Sequence, residues 1–380
     1  MTILLILRVF GSPIIKLFKE IIFMTESNKY ILHYGSLAGM PYKIAEACNT
    51  QGRPSKNVIL CDRDVDDLSR QLAYHEEVFC NNDSALEKSR KLFNFMLRAS
   101  NEASLIHYYS ANIFFRELHF LLEGPLMRAN KIPMLVTFGG TDIRVPSIAI
   151  KNNPYFKYFA FDGSWTWEKR VKFRVWSMSQ FIDAALVDPE MLDYMSPQFK
   201  KIYPFRQPVD MEYFPNEQKV QNEIPVLMHI PTSPEFKGTE EIKKAVDQLK
   251  SEGYQFEFRL KRQLSQTQVY EELVKADIYI DELRCGSHGV TSVEAMAAGC
   301  AVITFILDRI KDQYPADLPI VSANTDTIYE KLKYLLDNPS LYKELGKQGR
   351  AYAKKYHCSM VVAKHQLEIY DDFIDYKNKS

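Results

Sequence analysis

The helical stretch from Val290 to Ala297 carries a carboxylate where an apolar side chain is due. Val290, Val293, Glu294 and Ala297 fall at i, i+3, i+4 and i+7, so Glu294 shares one face with three apolar residues. A carboxylate so placed needs a hydrogen-bonding partner. The neighbouring hydroxyls of a ribose would supply one. The backbone would too, because Thr291-x-x-Glu294 fits a capping box. Just upstream, Cys285, Gly286, Ser287 and Gly289 make a small-residue turn. Amides in the first turn of a helix lack intrahelical partners and the helix dipole adds positive potential there, so Ser287 to Ser292 suits a phosphate. Glycine at 286 and 289 lets an anion approach the backbone closely.

The elements that position these residues are legible around them. Ile278 to Ile280 is a β-rich run, the helical segment closes at Gly299, and a second apolar run spans Ala301 to Ile306. Strand, turn, helix and strand make the βαβ unit of a parallel sheet. The same alternation recurs at the start of the chain: strand Tyr30 to Tyr34, a turn through Gly35, Ser36 and Gly39, a helix from about Pro41 to Cys48, and a strand from Asn57 to Cys61. Further strands are expected at Ser104–Ser110, Pro133–Phe138, Ala184–Val187, Val226–Ile230, Phe256–Leu260 and Ile320–Val321. Helices are expected from Thr239 to Lys250, from Thr327 to Leu336, and after Asn338-Pro339.

The run GSHGVTSVEAMAAGCAVIT resembles the donor-binding signature of family 4-like glycosyltransferases with the GT-B fold. That signature carries two glutamates, of which Glu294 matches the second and Gly286 occupies the place of the first. The resemblance implies that Glu294 holds a nucleotide ribose, that His288, Gly289, Val290 and Thr291 belong to the donor site, and that the usual sugar contact at Gly286 is missing. Lys237-Gly238 matches a segment that presents basic residues to the donor pyrophosphate, with Thr232 at the usual arginine and Ser233 beside it. Arg259 or Lys261 would take over the missing guanidinium. Gly139-Gly140-Thr141-Asp142-Ile143-Arg144 resembles a family loop whose cleft histidine is here Gly139, leaving Asp142 and Arg144 on the acceptor side or simply paired with each other. His107 matches a strand histidine of the same family, with a purely structural role as the alternative. Gly35 and Ser36 would face donor phosphates or acceptor, or only form a tight turn. Gln207-Pro208-Val209-Asp210 resembles the family's domain boundary, and residues 337 to 372 its closing helical pattern.

Composition sets the frame. The chain has 380 residues, 46% hydrophobic and 25% charged, with Lys plus Arg and Asp plus Glu at 48 each. Two domains, each with its own core, fit that length. With zero net charge, nothing global points to nucleic acid. The six cysteines lack metal-finger spacing and read as reduced thiols of a cytosolic protein. Residues 1 to 23 are apolar but broken by charges and Gly11-Ser12-Pro13, which disfavours a membrane span. They read either as an interfacial amphipathic helix or as sequence ahead of a true start at Met24. Between 163 and 176 all three tryptophans alternate with Lys169, Arg170, Lys172 and Arg174. Such a segment suits a headgroup surface or a phosphorylated acceptor, or a charged helix packing its aromatics inward.

The expected architecture is α/β, with two Rossmann-like domains facing across a cleft and parallel sheets flanked by helices. An N-terminal extension (1–24) precedes an acceptor domain (25–210), a nucleotide-sugar domain (211–358) and a last helix (359–380) crossing back to the first. The resemblance implies a retaining transferase using a UDP- or GDP-sugar, with Lys237, Glu294 and Asp142 as the catalytic set and no cofactor or metal. The implied acceptor is a glycan or lipid-linked molecule of surface polysaccharide or glycoconjugate synthesis, at the inner face of the membrane. A catalytically weak GT-B binding subunit is one alternative. A sugar-nucleotide epimerase is another, disfavoured because no pair of carboxylates stands out as its acid and base.

Overall fold

A computed structural model describes residues 29–61, 71–110, 122–140, 142–156, 165–214 and 222–379. The N-terminal extension, Thr141 and the linker stretch 215–221 lie outside them. Among the described residues the first sheet has seven strands, β1 (Tyr30–Tyr34), β2 (Ser55–Ile59), β3 (Glu76–Glu77), β4 (Ala103–Tyr109), β5 (Met134–Thr137), β6 (Ala184–Val187) and β7 (Lys201–Pro204), in the order β3-β2-β1-β4-β5-β6-β7. The second has five, β8 (Val226–His229), β9 (Glu257–Leu260), β10 (Ile278–Ile280), β11 (Ala301–Thr304) and β12 (Ile320–Ser322), in the order β12-β11-β10-β8-β9. Every pairing among the described strands is parallel. Parallel strands buried on both faces read as continuous apolar runs, as ALV at 185–187 and AVI at 301–303 do.

Both sheets are doubly wound, and each reverses its winding once. The first reverses between β1 and β4, the second between β8 and β10. Ligands in open α/β sheets bind outside the carboxyl ends of strands at such reversals. At these ends stand Gly35-Ser36 after β1, Ile230 to Thr232 after β8, and Asp281-Glu282 after β10.

The last helix, Ser359–Lys379, lies on the first sheet rather than the second. Its Val362, Leu367, Tyr370 and Phe373 share a core with Ile31, Ile44, Leu105 and Leu135. Arg53 forks onto Asp371 at 3.0 and 3.2 Å, and Lys377 pairs with Asp183 on its far end. The sheet thus keeps a helix on its outer face by apolar burial, with ion pairs setting the register.

Candidate active site between the two sheets

Gly35 leaves β1 with φ +123°, and a Cβ there would sit 2.6 Å from the Tyr109 carbonyl oxygen. Only glycine lets the chain turn this close to β4. The turn carries Ala38, but not Gly35 or Ser36, into the lining of a pocket whose other wall is Ile230, Thr232, Val290, Thr291 and Glu294 of the second domain. The pocket is thus shared between the two switch points.

The helix Val290–Ala297 starts from Gly289, whose extended backbone (φ −89°, ψ −179°) makes it the N-cap with no side-chain cap bond. The capping-box alternative for Glu294 therefore does not form: Thr291 lies inside the helix and cannot cap it. Glu294 instead receives the Tyr270 hydroxyl at 3.1 Å and lies 3.6 Å from the ammonium of Lys43, which itself donates to Tyr270 at 2.7 Å. Lys43 comes from the helix Met40–Thr50 of the other domain. All three side chains are buried, so the charged pair joins the domains across a water-poor seam. A signal for Lys43 was present in the sequence. Met40, Lys43, Ile44 and Ala47 fall at i, i+3, i+4 and i+7, so a charge interrupts an apolar helical face there as Glu294 does on its own helix.

The loop after β10 is the most charged part of the cleft. The Lys237 ammonium pairs with Asp281, which also accepts from Ser292 at 2.6 Å. Burial works against the Asp281 carboxylate, but the charge and hydrogen bond of Lys237 overcome it and hold its pKa below the usual range. Beside it, burial and the neighbouring Asp281 charge push Glu282 up to about 7. The expectation that no carboxylate pair stands out is thus corrected. Two acidic residues at the end of a strand flanking the switch point were the signal.

The acceptor-side residues sit differently from one another. Arg144 does not pair with Asp142. It forks onto Glu190 at 2.7 to 3.1 Å, contacts the Cys285 sulfur at 2.9 Å across the cleft, and lies over the Phe236 ring. Asp142 accepts from the amides of Gly139 and Gly140 at 2.7 to 3.2 Å, a local turn that shapes the loop. His107 does not reach the cleft. It is fully buried, with Thr137 at 2.8 Å on Nε2 and Tyr370 at 2.6 Å on Nδ1, so it ties β4 to β5 and the last helix. Burial lowers its pKa well below the ordinary value, which keeps it neutral.

On the donor side, Arg259 forks onto Glu257 at 2.7 and 2.8 Å on the edge strand β9, away from the pocket wall, and Lys261 is exposed at the end of that strand. Neither takes the place of a guanidinium in the pocket. Thr232 lines the pocket, while Ser233 is exposed at the start of the short helix Pro234–Lys237. His288 is buried against the Tyr314 ring (4.9 Å), and neither ring nitrogen has a hydrogen-bond partner among the described residues. Burial lowers its pKa to about 4.

The two glycines that replace polar family residues are backfilled. A Cβ on Gly139 would meet Leu37 at 2.5 Å, and one on Gly286 (φ +97°) would meet Leu307 at 2.6 Å. Near Gly286 the domains are also sewn together, with Asn153 donating to the carbonyls of Arg284 (2.8 Å) and Cys285 (3.1 Å) and Arg309 reaching Asp193 at 3.1 Å.

The family described as glycosyl transferases group 1 matches residues 225–352. No curated protein matches the chain in sequence. Sucrose-phosphate synthase from Thermosynechococcus elongatus superposes with a TM-score of 0.62 at 12% identity, over 92% of this chain and 100% of that one. A glycosyltransferase from Rickettsia africae ESF-5 gives 0.58 at 14%, over 91% and 99%. HepE from Anabaena, solved in complex with UDP, gives 0.59 at 12%, over 90% and 100%. At these identities the structural likeness is one of fold. Together with the family match over the second sheet, it gives the chain a GT-B fold whose residues 225–352 are similar to the group 1 glycosyl transferases.

Proposed function

We propose that this protein transfers a sugar from a UDP- or GDP-sugar to a hydroxyl of a glycan or lipid-linked acceptor, retaining the anomeric configuration. One observation carries the reading: the pocket at the two switch points joins Glu294 to the amide-rich start of its own helix. A ribose at Glu294 would set the diphosphate against Gly289 to Ser292, where unpaired amides and the helix dipole favour anionic oxygens. HepE has been solved with UDP, with UDP and glucose, and with UDP-glucose, which supports a donor of this class.

In the proposed reaction the diphosphate leaves toward that helix start, and Lys237, already beside Asp281, offsets its charge without a dedicated metal. The leaving oxygen takes the acceptor's proton, and Asp142 and Arg144 shape the loop on the acceptor side. The helix Trp165–Ser179 supports a membrane-surface acceptor. Phe173 and Trp176 are exposed with rings 5.8 Å apart, and Lys169, Arg170 and Lys172 are exposed around them. Among the described residues no helix is long and apolar enough to cross a membrane.

The test is release of nucleoside diphosphate from UDP- and GDP-sugars with and without glycan or glycolipid acceptors, in the presence of EDTA, followed by NMR of the product anomer. Acceptor-dependent release with an unchanged anomer is expected. Nucleotide binding without release under any condition would favour the binding-subunit reading, which the backfilled Gly139 and Gly286 support.

A further inference from the structure

Resting on the donor-site reading above, we propose that Lys43 is an internal competitor of the donor: its ammonium holds Glu294 and shuts the cleft, and a nucleotide binds by displacing it. One carboxylate serves both states. Glu294 Oε1 accepts from the Tyr270 hydroxyl at 3.1 Å and lies 3.6 Å from Lys43 Nζ, which donates to that same hydroxyl at 2.7 Å. Ribose hydroxyls on Glu294 have to enter this cluster, in which all three side chains are buried. The space beside it is also small. The pocket that Glu294 lines has a volume of about 50 Å³. That is room for one or two waters, whereas small-molecule sites run from roughly 300 to 1,000 Å³. A nucleotide does not fit this arrangement.

The wall that has to move belongs to the first domain. Gly39 starts the Lys43 helix in a left-handed conformation (φ +75°), and a Cβ there would lie 3.2 Å from Leu72 and 3.4 Å from the Gln266 side-chain amide of the second domain. Ala38 and Leu72 line the pocket together with Gln266 and Glu294. Lys43 sits one turn further along the helix, so its release frees this wall. The chain supplies the pivot. It crosses between domains near Val209 and again near Cys358, and the crossings are bonded side by side, Val209 amide to the His357 carbonyl at 2.7 Å and Ser359 amide to the Val209 carbonyl at 2.9 Å. Crossings paired in this way leave one line about which the domains turn. Without Lys43 the closed form strands the Glu294 charge in a buried seam, which favours the open form.

Calorimetric titration of the full chain with UDP and with GDP reads the role of Lys43 through the sign of its effect. Lys43→Met is expected to bind the preferred nucleoside diphosphate about tenfold more tightly than wild type, because the binding-competent fraction of the protein sets the apparent affinity. A lysine that held the nucleotide would give a loss instead. Arg309→Ala removes a partly exposed ion pair to Asp193 across the same cleft and is expected to change affinity by less than about twofold. Wild type alone decides the matter if Lys43→Met does not fold. Acetylation of Lys43, read by mass spectrometry, is expected to rise several-fold on adding nucleotide, because the ammonium leaves a site where its side chain is 4% exposed. Equal or weaker binding by Lys43→Met, an equal gain in Arg309→Ala, or unchanged labelling of Lys43 at saturating nucleotide would overturn the proposal. Glu294→Gln keeps the two readings apart. Loss of nucleotide in that variant upholds the donor site whatever Lys43 does, whereas binding as in wild type would overturn the donor-site reading itself.

Discussion

Removing the Lys43 ammonium tests how the two domains are held at the site. Lys43 and Glu294 are 3.6 Å apart, and their side chains are 4% and 6% exposed. At an effective dielectric of about 20 the attraction is about 4–5 kcal/mol, and the desolvation of both ions opposes it. Either single change strands the other charge in a buried seam, so Lys43→Met or Glu294→Gln should each cost about 3 kcal/mol or more. The double variant strands neither, and its cost should fall below the sum of the two by about 2–3 kcal/mol. Tyr270→Phe, which deletes the hydroxyl bridging both groups at 2.7 and 3.1 Å, should cost about 1 kcal/mol. Guanidinium unfolding of the four variants and wild type, followed by far-UV circular dichroism, gives the cycle. Additive single changes, with coupling below about 0.5 kcal/mol, would show that the pair contributes nothing as a pair.

Three further outcomes follow from the geometry. Stability should fall as pH drops from about 6.5 toward 4. Burial depresses His33 and His357 to about 3 and His229 and His288 to about 4, so the unfolded chain takes up protons that the folded one refuses. Asp188 and Glu282, raised by burial to about 6 and 7, act in the opposite sense as pH rises above about 4, but they are outnumbered; a flat melting temperature between pH 7 and 5 would contradict the balance. Gly139→Ala should cost about 1–3 kcal/mol by overpacking Leu37 and recover when combined with Leu37→Ala, as read by urea unfolding. Gly286→Ala should destabilise and not be rescued by Leu307→Ala alone, because the backbone at φ +97° remains strained.

Much of the fold was legible because parallel strands announce themselves as short apolar runs between turn residues. β6, β8 and β10 lie where those runs lie, whereas β3 is two glutamates with no such signal. The long helix Ala85–Glu102 has a readable start in Ser84 and Glu87, which form a true capping box. At the site, spacing along one helix identified Glu294 as anomalous but could not name its partner, because Lys43 is brought to it by tertiary packing. The same holds for Arg144, whose partner Glu190 lies 46 residues away, and for Asp142, which spends its carboxylate on its own loop. Charge on an apolar face is readable; what answers it across a domain boundary is not.

The measurement that bears most directly on the central claim is the melting temperature of wild type, Glu294→Gln and Glu294→Ala against UDP, GDP and ADP. The two variants carry their own lower baseline, so the quantity compared is the rise on adding nucleotide. A rise in wild type with one base, absent from both variants, is the predicted result and identifies the donor nucleotide. An equal rise in Glu294→Gln and Glu294→Ala would place the nucleotide elsewhere and contradict the account.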